Sequence, residues 1–145
     1  MQNLTTETVV KQAELMPDEL QQNKLILNIK SVMIRLDGNQ FLLKELYRIY
    51  LKQIKIYMQD IEKSLAEGDF NQMATCSHSL KSCFQSIGAE LCEDVNDKIS
   101  KQLKTGDFVP ISKLIESLKN HLEQVFMMSE QIEKNDIDPD LNVLY

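Results

Sequence analysis

The chain is 145 residues long, with 43% hydrophobic and 26% charged residues but only four glycines and three prolines, and such sparse turn punctuation in a length that suits one domain favours helices. Its 22 acidic residues against 16 basic ones give a net charge of −6, which argues against nucleic acid as the main partner, because phosphate backbones reward clustered Lys and Arg. The longest apolar run, Val125-Phe126-Met127-Met128, is far too short to insert across a bilayer, and the opening MQNLTTETVV lacks the basic and apolar regions of a signal peptide. Three cysteines without such a leader predict reduced thiols in a cytoplasmic protein.

Thr5 or Thr6 is placed to cap a first helix ending near Met16. Pro17 opens a second segment that runs to Leu36 with Leu20, Leu25, Leu27, Ile29, Val32, Met33 and Ile34, and Asp37-Gly38 closes it in a tight turn. From about Asn39 to Ala66, the positions Leu43, Leu46, Tyr47, Tyr50, Ile54, Tyr57, Ile61 and Leu65 step by three and four, which predicts a long amphipathic helix. Gly68 stops it. Asp69 with Gln72 three residues on is a capping-box pattern for the next helix, Phe70 to Ile87, with Met73, Cys76, Leu80, Cys83 and Ile87 inward. Gly88 permits a break before a helix to about Lys104 carrying Leu91, Cys92, Val95, Ile99 and Leu103. Gly106-Asp107 repeats the stop-and-start signal, and a last helix spans Pro110 to Lys134 with Ile111, Leu114, Ile115, Leu118, Leu122, Val125 and Ile132. GDFNQMATCSHSLKS and TGDFVPISKLIESLKN share Gly-Asp-Phe and a later Leu-Lys, which reads as shared capping logic at two helix starts.

These elements imply an all-α protein: an antiparallel four-helix bundle over residues 21–134 with one or two extra N-terminal helices, an N-terminal helical extension over 1–20, and an acidic C-terminal tail over 135–145. Within the bundle, placing each residue 100° further around the axis puts Leu80 about 160° from His78, on the core side. Ala74, Thr75, Lys81, Ser82 and Gln85 fall within about 60° of His78, so the ring sits on an exposed polar stripe. Small residues one turn to either side leave room for a partner, and Lys81 brings a cation that suits an anionic group on the ring. His121, by contrast, falls at the core edge of the last helix, about 80° from its apolar stripe, and reads as structural.

The run His78-Ser-Leu-Lys81-Ser-Cys-Phe-Gln85-Ser-Ile-Gly88-Ala89, followed by Leu91, resembles the motif of histidine-containing phosphotransfer (HPt) domains, usually His-x-Leu-Lys-Gly with Gly-Ala or Gly-Leu ten residues after the His. The likeness extends back through LDGNQFLLKELYRIYLKQ and forward through KTGDFVPISKLIESLKNHLEQ, roughly Leu25 to Glu133. The chain departs from the pattern at two positions. Ser82 stands where members usually have Gly, and Ser100 where many have a Gln that supports the imidazole.

The resemblance implies a bundle of HPt type in which His78 accepts a phosphoryl group from a receiver-domain aspartate and passes it to another. Lys81 and Gln85 would support the phosphate or the ring, and Ala74, Thr75 and Ser82 would meet the docking partner. The chain would then be a phosphocarrier rather than an enzyme, with no cofactor of its own and Mg²⁺ in the partner. Its partners would be response-regulator receiver domains and a hybrid sensor histidine kinase, and it would act as a monomer. Phosphoryl transfer through a loose transition state asks mainly for positioning and charge, so a bundle with one presented imidazole suffices. No G-x-x-x-x-G-K-[ST] loop is present to bring ATP directly. A di-iron bundle would need Glu-x-x-His, but Thr75 and Leu118 precede the two histidines by three, and the cysteines share no Cys-x-x-Cys spacing. The remaining alternative is an HPt-fold adaptor or inhibitor that binds receivers without productive transfer.

Overall fold

The computed structural model describes residues 23–135. Five helices follow one another: α1 (Ile29–Arg35), α2 (Gln40–Glu67), α3 (Phe70–Ile87), α4 (Glu90–Thr105) and α5 (Ile111–Lys134). The expected N-terminal extension with its Thr5 or Thr6 cap, and the tail beyond Asn135, lie outside the described residues.

Side chains just ahead of α2 and α3 fix where these helices begin. Asn39 accepts from the Leu42 N–H at 3.0 Å to start α2, and Asp69 accepts from the Gln72 N–H at 3.1 Å to start α3, each satisfying an N–H that has no partner inside its helix. The capping box at Asp69 is one-sided, since the Gln72 amide turns to the Cys76 Sγ at 3.6 Å. Connections of a few residues force successive long helices antiparallel. α2 packs on α3, α3 on α4, α4 on α5 and α5 back on α2, which closes an up-down-up-down bundle. Leu80, Phe84 and Ile87 of α3, Ile99 of α4, and Leu118 and Val125 of α5 meet in a core closed to solvent. Burial of each such side chain contributes about 1.5–3 kcal/mol. Cys76, Cys83 and Cys92 are buried with it and unbridged. At one end, the two phenylalanines of the Gly-Asp-Phe repeats, Phe70 and Phe108, stack at 3.9 Å. The shared motif thus brackets that end of the bundle.

Two expectations need correction. The segment from Pro17 to Leu36 is not one helix where it is described: only Ile29–Arg35 is α-helical, and Ile34 on it is exposed. Asn28 accepts from the Ser31 N–H and so starts α1 late, while the residues ahead of it pair with the α3–α4 turn instead of with each other. The Asn28 N–H donates to the Gly88 carbonyl at 2.7 Å, and the Leu91 N–H to the Leu25 carbonyl at 3.1 Å. The Glu90 carboxylate accepts from the Leu25 N–H and from the Asn28 amide. Asp107 is the second correction. α5 begins after Pro110 with no side-chain cap; the Ile111 N–H donates instead to the Phe108 carbonyl at 3.2 Å.

Candidate functional site

α3 carries His78 and is tied down along its buried side and at its C-terminus. Ser77, one residue before the histidine, is buried against Asn96 of α4, which is buried as well. The Ser77 hydroxyl donates to Asn96 Oδ1 at 3.0 Å, and Asn96 Nδ2 donates back to the Ser77 carbonyl at 2.9 Å. Both polar groups are thereby satisfied, and a reciprocal pair of this kind fixes the height and rotation of α3 against α4. At the C-terminal end the last carbonyls of α3 are taken up from outside the helix. Arg35 Nη2 lies 3.2 Å from the carbonyls of both Gln85 and Ser86, and the Tyr47 hydroxyl donates to the Ile87 carbonyl at 2.9 Å. Burial pushes the Tyr47 phenol well above its usual range, against a smaller opposing effect of the Arg35 charge, so it stays a neutral donor.

On the other side of α3 the exposed stripe is as the spacing predicts. Ala74, Thr75, His78, Lys81, Ser82 and Gln85 are all exposed, with Leu80 facing the core. The His78 ring makes no hydrogen bond to a described residue, so its nitrogens are open to an incoming group. His121 is half-buried on α5. Two of the residues expected to support the ring or a phosphate reach across to α4 in this structure: Lys81 Nζ lies 3.2 Å from Asp97 Oδ1, and the Gln85 amide donates to Glu93 Oε2 at 3.0 Å. His78 borders a groove of about 500 Å³ between α3 and α4, where Lys81, Asn96, Asp97, Ser100, Lys101 and Lys104 join it. Among the described residues no group of His, Cys, Asp and Glu is placed to hold a metal ion, and no helix is long and apolar enough to cross a membrane.

The sequence reading missed Asn96, Lys101 and Lys104. Asn96 had a readable signal: it follows Cys92 by four and precedes Ile99 by three, a polar residue inside an apolar stripe. The two lysines carry no such mark, because only the packing of α4 on α3 turns them toward His78.

A family model described as Hpt domain matches residues 45–127, from α2 into α5 with the whole His78 motif enclosed. That is more than half the chain. The chain belongs to the Hpt family. Hpt domains are helical phosphocarrier modules of two-component signalling, in which histidine phosphotransfer proceeds with receiver domains and kinases. No curated protein and no solved structure matches the chain.

Proposed function

We propose that this Hpt protein is an intermediate of a multistep phosphorelay, with His78 as its phosphoacceptor. A ring nitrogen of His78 attacks the phosphorus of a receiver aspartyl phosphate. The P–N bond forms as the P–O bond to the aspartate breaks, and the free carboxylate leaves; the reverse exchange passes the phosphoryl group to a second receiver aspartate. The observation that carries this reading is the unengaged, exposed imidazole of an Hpt-family chain, held on a helix fixed from behind by Ser77 and Asn96. Positioning and charge are most of what this reaction needs from the acceptor.

In this reading Lys81 and Gln85 support the phosphorylated ring, Lys81 by leaving the exposed Asp97 carboxylate for the phosphoryl oxygens. Exposed ion pairs of this kind hold by about 1 kcal/mol or less, so the exchange of partners is easy. Ala74, Thr75 and Ser82 lie under the docking receiver, whose Mg²⁺ serves the transfer. A hybrid sensor histidine kinase and its response regulators are the partners, and the protein works as a cytoplasmic monomer. Mixing the chain with a phosphorylated receiver should place an acid-labile, alkali-stable label on it, and adding a second, unphosphorylated receiver should then drain that label. A complex that forms with receivers but never takes up label would identify an adaptor instead.

A further inference from the structure

Of the three cations in the groove beside His78, Lys81 faces Asp97 at 3.2 Å. Lys98, one turn before Lys101 and nearly two before Lys104 on α4, is paired with Asp94. Lys101 and Lys104 are exposed and make no ion pair with a described residue. Charge along α4 is divided: Glu90, Glu93, Asp94 and Asp97 occupy its first half, and Lys98, Lys101 and Lys104 its second. Because α4 runs antiparallel to α3, Glu93 meets Gln85 and Asp97 meets Lys81 beyond His78, which leaves Lys101 and Lys104 beside the half of α3 that precedes it. The groove therefore offers unpaired positive charge at one end and the Lys81–Asp97 pair at the other, on a chain whose net charge is −6. The helix dipole accounts for a cation in the last turn of α4, but it does not require that cation or Lys101 to line the groove that holds His78.

We propose that Lys101 and Lys104 dock an acidic surface of the phosphodonor protein, and that the divided charge of α4 sets which way round the donor sits over His78. This rests on the reading of His78 as phosphoacceptor. Paired charges at a rim contribute mainly to the encounter, which is fast at low salt and weakens as ions screen it.

The test compares initial transfer rates from one phosphorylated receiver to the full chain and to Lys101→Gln/Lys104→Gln, across receiver and NaCl concentrations. The double variant should lose about tenfold in kcat/KM at low salt, with the loss in KM, a flatter salt dependence and an unchanged saturated rate. Lys101→Glu/Lys104→Glu should lose more. Lys52→Gln/Lys63→Gln removes the same charge from α2, away from the groove, and should transfer normally. Labelling by phosphoramidate, a small donor with no docking surface, should be the same for all of these chains. A double Gln variant that matches wild type at every salt concentration overturns the docking while leaving the phosphoacceptor intact. Equal loss with receiver and phosphoramidate also overturns it, since the lysines would then serve the ring or the fold. A wild-type chain that neither donor labels overturns the phosphoacceptor reading and the docking together.

Discussion

Ser82 lies one turn beyond His78 on the exposed side of α3, so a receiver that reaches the ring passes over it. Under the proposed docking its hydroxymethyl group adds little bulk to that surface. Ser82→Gly should keep transfer near wild type at a stability cost of about 0.5–1 kcal/mol for a mid-helix glycine. Ser82→Arg should slow transfer strongly without unfolding an exposed position. Transfer rates to one receiver check both, and an Arg variant as fast as wild type would remove Ser82 from the docking face. The thiols give a second prediction at this scale. Burial pushes Cys92 up to about 12 and raises Cys76 and Cys83 as well. Only the thiolate attacks, so native-state reaction with a thiol reagent should be slow at pH 7 and, for Cys92, still far slower at pH 9 than that of an exposed thiol. Denaturant should release all three. Fast native labelling of Cys92 would contradict the helix register that assigns every face.

At the scale of elements, α3 presents His78 because its far end is locked into the turn before α4. Gly88 closes α3 at φ 74°, and an added Cβ would stand 2.8 Å from the Asn28 carbonyl oxygen and 3.1 Å from Val32 Cγ2. Gly106 has a similar φ, but nothing lies within 4 Å of a Cβ there. Gly106→Ala should therefore cost about 1 kcal/mol, the left-handed strain alone, and Gly88→Ala at least about 2 kcal/mol. Urea unfolding of the two variants checks the order, and equal costs would mean that α1 does not bear on this turn. The long helices were legible because each carries a three-and-four apolar rhythm and three of them, α2, α3 and α4, end at a glycine. Their bounds in the structure fall within a residue or two of the expected ones. The stretch before α1 was not legible, because Leu25 and Asn28 find their partners on Glu90, Leu91 and Gly88. A contact some sixty residues away leaves no local periodicity to read. The same reason separates His78, whose exposed stripe is written in the spacing of α3 alone, from Lys101 and Lys104, whose place depends on how two helices pack.

On the scale of the whole molecule, the bundle is tied from both sides so that one face can stay polar and open. Arg48 of α2 bonds Glu133 of α5 at 2.8 and 2.5 Å and also pairs with Glu45, while Lys119 of α5 reaches Glu62 of α2 at 2.9 Å. Lys24 meets Asp94 at 2.6 Å. Although partial burial works in the opposite direction, the Lys24 hydrogen bond and charge, with Lys98, hold the Asp94 carboxyl below its ordinary value. Such a lowered carboxyl contributes stability above its unfolded pKa and loses it as pH falls through the folded one, so this tie should weaken in acid and hold at neutral pH. The account's central claim is that one imidazole, His78, carries the phosphoryl group. The direct measurement is label transfer from a phosphorylated receiver to wild type, His78→Gln and His121→Gln, with helical content checked for each. Wild type and His121→Gln should take up equal acid-labile label and His78→Gln none, with all three folded alike. Label on folded His78→Gln, or its loss from His121→Gln alone, would contradict the claim.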